Sequence, residues 1–365
     1  MILTKAASIA FYVLFFIMLG LFSYLGFYKK NKVFAVFAIL LPILVAGFRF
    51  NVGTDYAAYS RMFDEIMNET PDKIWSRFIT GGSEPFILLL AVICRNLLFG
   101  RWLFFAIFSF ITVFFLYKAF NRFDEKRSWL LYTASLLILF PLSLNAMRQT
   151  AAVAVVTYVL ISLVFDKDKK YLKNSLLTLF AIFLHYSTLL FLPVLIVPIL
   201  AMKLNYKRLS LYIICALGIA LIVLPIIMPI IVELELLPEK YTSTFMVYDS
   251  ATISFDLMII VIISVLYYIT RKHLNGYSRK TNRVMLTMMA CGIFYSGLGL
   301  FSAYIGRMAD FFWPLNIIAL WVIVDRFKDS ETTKYILFLL VPVLYFVASC
   351  IIMGNNQIIP YQILL

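Results

Sequence analysis

Long apolar runs separated by short polar segments make up almost the whole sequence. Many runs approach or exceed about 18 residues, the length at which an apolar stretch indicates a helix that crosses a bilayer. The first run extends from Lys5 to about Phe27, beyond the apolar region of a cleaved signal peptide, so we take it as the first span. The pattern predicts an all-α, polytopic membrane protein of about 12 transmembrane helices. The predicted crossings are 6–28, 33–48, 102–118, 129–144, 146–165, 174–187, 188–202, 209–232, 256–270, 284–300, 308–325 and 334–352.

Two stretches depart from a simple series of crossings. Residues 84–99 (EPFILLLAVICRNLLF) are short and carry an arginine, and a crossing there would move the basic stretch 118–128 to the opposite side. We predict that 84–99 is re-entrant or lies at the outer interface. Segments 174–187 and 188–202 fall short of the roughly 20 residues of a full crossing. Their turn, LHYSTLL, is therefore expected below the outer surface, with His185 held at depth.

The charged residues are distributed unevenly between the two sides of this predicted topology. The chain carries 32 Lys and Arg against 19 Asp and Glu, a net charge of +13. Most basic residues lie in loops on one side, which is the positive-inside pattern and places both termini outside the cell. Basic residues spread over such loops do not form a nucleic-acid-binding face, so no nucleic-acid partner is expected. The basic loops are 29–32, 118–128, 166–173, 203–208, 271–283 and 326–334.

The sequence shows neither an internal repeat nor a soluble domain, and we predict a single integral membrane domain over 1–365. It includes an outer loop with the re-entrant segment over 49–101 and an outer, lid-like loop over 233–255. The 4 cysteines lie in apolar segments without CxxC spacing, as buried small hydrophobic residues do. The 2 histidines are too few for a His-rich metal site. We therefore expect neither a metal ion nor another cofactor.

Three arginines interrupt or border apolar runs on the outer side of the predicted topology: Arg49, Arg148 and Arg307. Each alone can be an interface anchor whose charged end reaches the surface. Their convergence with His185 favours a functional site, because ionisable groups at membrane depth are costly. The guanidinium group suits phosphate oxygens, and Arg148 also begins a helix, whose N-terminus favours an anion. We predict that the three arginines bind a lipid-linked phosphate or diphosphate.

Carboxylates, amides and aromatic rings on the same side supply the chemistry that recognises sugars. Asp55 and Glu84 lie in or beside apolar stretches where an unpaired carboxylate is costly. The alternative for these carboxylates is pairing with Arg49 or Arg61. For the tyrosines, the alternative is an aromatic belt at the membrane interface. The candidate sugar contacts are Tyr56, Tyr59, Gln149, Tyr186 and Ser187.

Four motifs follow one another in a characteristic order: GFRFNVGTDYAAYSRMF, EPFILLL, MRQTAA and FLHYSTLLFLP. Their order and approximate spacing resemble the EpsG-like branch of the Wzy-type polysaccharide repeat-unit polymerases, which make O-antigen, capsule or exopolysaccharide. The resemblance covers about residues 1–200, and Arg307 and the closing spans fit more loosely. Each motif alone is weak, whereas the combination is fairly specific.

The resemblance implies a membrane glycosyltransferase of the GT-C-like type in the bacterial plasma membrane, with its active site facing outside. Members of the family use undecaprenyl-diphosphate-linked oligosaccharides as both donor and acceptor. The growing chain moves from its carrier to the non-reducing sugar of the next unit. No nucleotide sugar or cofactor is required. A flippase and a chain-length regulator are candidate protein partners, beside the membrane lipids.

Mapped onto this chain, the resemblance assigns roles to the charged residues. The three arginines would bind the leaving diphosphate and stabilise its developing charge. His185 would join them or act as an acid or base, since histidine as a residue type exchanges protons near neutral pH. Asp55 or Glu84 would orient or deprotonate the attacking sugar hydroxyl, and the sequence does not distinguish the two.

Three other functions use part of the same pattern. A flippase or transporter would also bind a lipid-linked saccharide, but it needs polar groups reachable from both sides and often has internal repeats. An O-antigen-type ligase or lipid-phosphate-sugar transferase differs only in its acceptor. A membrane scaffold for polysaccharide assembly would not explain why the three arginines are present.

Overall fold

A computed structural model of the protein describes residues 2–80, 84–165, 170–203, 205, 207–216, 218–219, 223, 250–270, 279–300 and 306–363. These residues are almost entirely helical, and the only β-type pairings recorded among them are two isolated bridges, Ile2 with Gln362 and Arg49 with Ile363. The predicted all-α class is therefore confirmed. Residues 233–249 of the predicted lid-like loop 233–255 lie outside the described residues, whereas its last part, 250–255, is helical and belongs to Ser250–Thr270.

Most helices of the N-terminal half follow the predicted apolar runs, whereas 56–68 and 71–80 are helical within the stretch predicted as outer loop. They are α1 (Lys5–Ser23), α2 (Lys32–Gly47), α3 (Tyr56–Asn68), α4 (Pro71–Thr80), α5 (Pro85–Cys94), α6 (Gly100–Phe123), α7 (Ser128–Asn145), α8 (Met147–Phe165), α9 (Tyr171–Leu184) and α10 (Thr188–Lys203). A π-helical turn, Tyr24–Tyr28, extends α1. The later helices are Ser250–Thr270, Arg279–Leu298, the 3-10 helix Arg307–Phe312, Trp313–Val324, Glu331–Phe346 and the π-helical turn Val347–Ile352.

Within the described residues, 6 helices are long and apolar enough to cross a membrane: Lys5–Tyr28, Gly100–Phe123, Ser128–Asn145, Met147–Phe165, Arg307–Val324 and Glu331–Ile352. Shorter apolar helices are Lys32–Gly47, Pro85–Cys94, Tyr171–Leu184, Thr188–Ala201 and Phe255–Thr270. The chain is thus a multi-pass membrane protein. The count of twelve crossings stays a prediction, and much of the predicted crossing 209–232 lies outside the described residues.

The chain divides into two compact units. The first contains Met1–Leu189 and Tyr335–Leu365, and the second contains Leu190–Lys334. In the second unit, Phe191 stacks on Phe311, with ring centroids 4.7 Å apart. The predicted single domain over 1–365 stays a prediction.

Helices α6, α7 and α8 form the centre of the first unit. Helix α8 packs against α6 and α9, and α6 also contacts α2, α5 and α7. Small residues of α8 (Ala151, Ala152 and Ala154) are fully buried, which lets neighbouring helix backbones approach closely. Helix α1 instead leaves Leu14 and Ile17 exposed, as a helix that faces lipid does. The apolar composition of each helix therefore agrees with its position in the bundle.

The basic loops of the first unit lie at one end of its helices. Lys30, after α1, forms an ion pair with Glu125, before α7. At the same end, Arg122 and Lys173 donate hydrogen bonds to the hydroxyl of Tyr158, at 2.5 Å and 2.9 Å. The helices that leave this end place their other ends on the opposite side of the first unit, where the predicted site residues of this unit lie.

Segment 84–99 forms one short helix and a turn. Helix α5 has 10 residues and is therefore about 15 Å long, half the roughly 30 Å thickness of a bilayer core. A turn after Cys94 leads directly to Gly100, where α6 begins, and the Gly100 amide donates to the Leu97 carbonyl at 3.0 Å. The helix is too short to cross a bilayer, as expected, and its re-entrant or interfacial position stays a prediction.

The C-terminal segment packs across the end of the first unit that carries the predicted site. The hydroxyl of Tyr361 donates to the Val45 carbonyl at 2.6 Å, and the Phe50 amide donates to the Gln362 carbonyl at 2.9 Å. Gly53 has a positive φ of 95°, and a Cβ there would lie 2.2 Å from the carbonyl oxygen of Leu144. The loop after α2 is therefore held between α7 and the C-terminal segment.

We expect Tyr361→Phe to lower the free energy of unfolding by about 1 kcal/mol, because the buried Val45 carbonyl loses its donor. Thermal unfolding of the purified protein in detergent measures the change. Tyr171→Phe is the matched control, because Tyr171 lies 60% exposed on α9 and its hydroxyl is dispensable for packing. Equal stability of Tyr361→Phe and wild type would contradict this account of the C-terminal segment.

Candidate active site

A buried carboxylate joins three separate elements at the site end of the first unit. Glu84 is 6% exposed. One of its oxygens accepts a hydrogen bond from the Arg148 guanidinium, and the two groups form an ion pair. The other oxygen lies 2.7 Å from Nδ1 of His185. The structure therefore brings together Glu84, Arg148 and His185, which the sequence separates by up to 101 positions.

Helix ends place these three side chains. Pro85 begins α5 and fixes Glu84 in extended backbone at the N-cap position. Ala146 has non-helical backbone and separates α7 from α8, so Arg148 lies in the first turn of α8. His185 ends α9 with extended backbone (φ −159°), and Thr188 begins α10 three residues later. The turn predicted between these two short helices is confirmed at residues 185–187.

The ring of Tyr59, on α3, packs against the guanidinium group of Arg148. The centre of the guanidinium lies 5.2 Å from the centroid of the Tyr59 ring, within the range of a cation–π contact. Burial raises the pKa of Tyr59 and outweighs the opposing charge of Arg148, so the phenol stays protonated. The Nε atom of Arg148 is buried and has no hydrogen-bond partner among the described residues. The Arg148 side chain as a whole is 25% exposed, so part of it remains accessible to a ligand.

Arg148 and His185 determine the charge state of Glu84. Burial alone would raise its pKa, but the hydrogen bond with His185 and the charge of Arg148 outweigh burial and hold the pKa below its usual value. The sequence offered pairing of this carboxylate with Arg49 or Arg61 as the alternative to a functional role. Its partner is instead Arg148, the residue predicted to bind the diphosphate.

Arg49 lies apart from this ion pair, inside the protein. It is 1% exposed, and burial lowers its pKa to about 10. Its guanidinium donates to the Ala46 carbonyl at 3.2 Å and lies 4.6 Å from the ring centroid of Phe105 and 5.8 Å from that of Tyr56. No ion pair is recorded for it in the part of the chain that the structure describes. Its predicted role in diphosphate binding stays a prediction.

Hydrogen bonds that involve Asn145 and Asn356 hold the backbone of Asp55 in position. Its amide donates to Oδ1 of Asn145 at 3.0 Å, and the hydroxyl of Thr54 donates to the same oxygen. Asn145 in turn donates to Oδ1 of Asn356 at 3.2 Å. The half-buried carboxylate of Asp55 acts electrostatically on both Tyr59 and Arg148, which places it near the cluster. Sequence reasoning missed Asn356, which lies far along the chain and whose positive φ of 64° is not visible in the sequence.

The remaining candidates occupy different environments. Gln149 is buried beside Arg148 in α8, Tyr186 is exposed, and the hydroxyl of Ser187 is buried without a partner among the described residues. Arg307 belongs to the second unit, where it begins a 3-10 helix and its charge acts on the buried Asp310 three residues later. Asp310 was not identified from the sequence. The roles of all four predicted residues stay predictions.

The fold and this cluster define a multi-pass membrane protein with ionisable groups gathered at one end of its helix bundle. The model of the EpsG family matches residues 32–363, and the chain therefore belongs to the EpsG family. Membership confirms the resemblance seen in the sequence and indicates a polysaccharide polymerase-type function. No curated protein and no solved structure matches the chain.

The lowered pKa of Glu84 predicts how stability depends on pH. A carboxyl whose pKa is lower in the folded protein stabilises fully above its unfolded-state pKa and loses that effect as the pH falls through the folded-state pKa. We therefore expect the stability difference between wild type and Glu84→Gln to be constant from about pH 8 to about pH 5 and to shrink below about pH 4. Thermal unfolding across this range measures it, and a difference already absent at about pH 5 would contradict the ion pair.

Proposed function

We propose that the protein is a repeat-unit polymerase of the GT-C-like type. It transfers a growing saccharide from its undecaprenyl diphosphate carrier to the non-reducing sugar of the next lipid-linked unit. The observation that carries this proposal is the contact of Glu84 with both Arg148 and His185, in a chain of the EpsG family. The cluster combines a group that suits phosphate with a group that exchanges protons.

The distribution of charge supports an active site that faces outside the cell. The basic loops of the first unit lie at one end, and loops rich in Lys and Arg are usually cytoplasmic. The Glu84 cluster lies at the other ends of the same helices. On this basis, the substrate reaches the site from the outer leaflet of the bacterial plasma membrane.

Arg148 is proposed to bind the diphosphate of the donor. Glu84 accepts a hydrogen bond from one terminal nitrogen of its guanidinium, and the side chain is 25% exposed, which leaves it accessible to a phosphate oxygen. The first turn of α8 adds the partial positive charge of a helix N-terminus. Both effects strengthen as negative charge develops on the leaving diphosphate. Arg49 and Arg307 remain proposed further ligands of this group.

His185 is proposed to accept the proton of the attacking hydroxyl. Its Nδ1 faces Glu84, so a proton on Nδ1 is donated to the carboxylate and Nε2 is left with its lone pair. The acceptor oxygen forms a bond to the anomeric carbon of the donor, and the bond from that carbon to the diphosphate oxygen breaks. The leaving diphosphate takes the electron pair, and Nε2 takes the proton. Glu84 thus positions the base, while Asp55 orients acceptor hydroxyls.

We expect Arg148→Ala to abolish polymer while the protein remains folded and inserted, because the leaving diphosphate loses its main cation. The purified protein is reconstituted with a lipid-linked repeat unit, and the products are separated on a gel. A ladder of products indicates a polymerase, a single shifted band indicates a ligase, and unchanged substrate that moves between leaflets indicates a flippase.

Two variants control this experiment. Arg148→Lys keeps the charge without the planar fork and should retain a small part of the activity. Arg95→Ala removes an arginine at the end of α5 whose recorded hydrogen bond, among the described residues, goes to the Glu69 carbonyl at 3.4 Å, and it should form the normal ladder. Long polymer made by Arg148→Ala would show that the diphosphate assignment is wrong.

We expect Glu84→Gln and His185→Gln each to lower the transfer rate by about 10²-fold or more, the usual contribution of a positioned acid or base. If Glu84 acts through His185, the double variant is little slower than His185→Gln alone. Rates of polymer formation by the reconstituted wild type, the two single variants and the double variant give the four values of a double-mutant cycle. Multiplicative losses in the double variant would mean that the two residues act independently.

A further inference from the structure

A cleft with both apolar and polar lining residues lies on a different side of α3 from the Glu84 cluster. This cleft has a volume of about 710 Å³ and is lined by residues of 50–68 together with Arg101 at the start of α6. Its volume falls within the roughly 300–1,000 Å³ of small-molecule sites. Neither Glu84, Arg148 nor His185 lines it. The cleft is therefore separate from the proposed diphosphate site.

The spacing of residues along α3 creates this lining. Tyr56, Ser60 and Asp64 recur every four positions, which places them on one face of the helix. Tyr59 lies on another face, against Arg148. Tyr56 and Tyr59 are three residues apart, a rise of about 4.5 Å along the helix. One helix therefore contributes to both the cleft and the charged cluster.

The charges that line the cleft balance one another. Arg61 and Arg101 are matched by Asp64 and Glu65. Arg101 forms an ion pair with Asp64, and Glu65 accepts a hydrogen bond from Arg77 at 2.9 Å. A diphosphate would require an excess of positive charge, which this lining does not offer. The chemistry suits an uncharged ligand with many hydroxyls.

Two hydroxyls of the lining lack partners. Tyr56 is 3% exposed, yet its hydroxyl has no hydrogen-bond partner among the described residues, and the same holds for the buried hydroxyl of Ser60. Buried polar groups are nearly always satisfied in native proteins, so a missing partner points to a ligand or water. The ring of Tyr56 is fixed by stacking on Phe105, with centroids 5.0 Å apart.

We propose that this cleft binds the saccharide portion of the lipid-linked substrate. The amides of Asn51 and Asn68 and the carboxylates provide hydrogen bonds to hydroxyls, and the rings of Phe50 and Tyr56 provide apolar surface for the C–H faces of sugars. The identity of the ligand rests on the proposed function. Because α3 also carries Tyr59, which contacts Arg148, the cleft and the proposed diphosphate site share one helix.

Two adjacent alanines provide a matched test. Ala57 and Ala58 are both exposed on α3, but only Ala57 lines the cleft. Ala57→Trp fills the cleft without removing any existing contact, whereas Ala58→Trp places the same side chain outside it. The probe is the repeat-unit oligosaccharide released from its lipid carrier by mild acid, and binding is measured calorimetrically with the full chain in nanodiscs. A long polymer released in the same way is the second probe.

We expect Ala57→Trp to weaken saccharide binding by roughly tenfold or more, the effect of losing at least one good polar contact. Ala58→Trp and Arg95→Ala should bind the released saccharide like wild type. Preference for the polymer over the single unit would assign the cleft to the growing chain, and the reverse would assign it to the incoming unit. Equal binding by Ala57→Trp and Ala58→Trp would overturn the proposal. Since Arg148→Ala tests transfer and Ala57→Trp tests binding, each proposal can fail alone.

Discussion

The site end of this protein depends on one buried carboxylate. Removing Glu84 from water is costly, and the cost is offset only because Arg148 and His185 both contact it. These partners come from α8 and from the end of α9, so the same interaction that neutralises the carboxylate also holds three elements in register. Loss of either partner would leave the buried carboxylate only partly compensated by the other. The geometry of the proposed chemistry thus follows from an electrostatic requirement of the fold.

Hydrophobic patterning predicts the helices of this chain well. The starts and ends of α6, α7 and α8 lie close to the predicted spans, because a helix in lipid must satisfy its own backbone groups and stay apolar outside. The turn at His185 was also predicted, since two short arms between basic loops must reverse. The helix α3, in contrast, lies within a stretch predicted only as outer loop. Its amphipathic pattern is short, and it becomes stable by packing Tyr56 and Phe63 against α6.

The candidate site could be predicted as a set of residues but not as a set of contacts. Residue type and the predicted topology placed Glu84, Arg148 and His185 on the same side of the membrane. Ionisable groups are costly in lipid, so they were expected to lie close together. The sequence does not encode which cation meets which carboxylate, since that depends on helix rotation and packing. Arg49 is an example, because it is buried against Phe105 and Tyr56 and paired through its backbone with Ile363, contacts between segments far apart in the sequence.

The tautomer of His185 provides the most direct test of the central interaction. With the chain's other histidine replaced (His273→Asn), ¹⁵N-labelled histidine reports on His185 alone in solid-state NMR of the protein in lipid. The account predicts a proton on Nδ1, strongly hydrogen-bonded to the charged carboxylate in the wild-type background and more weakly hydrogen-bonded in Glu84→Gln. A wild-type spectrum with an unprotonated Nδ1, or one that Glu84→Gln leaves unchanged, would contradict it.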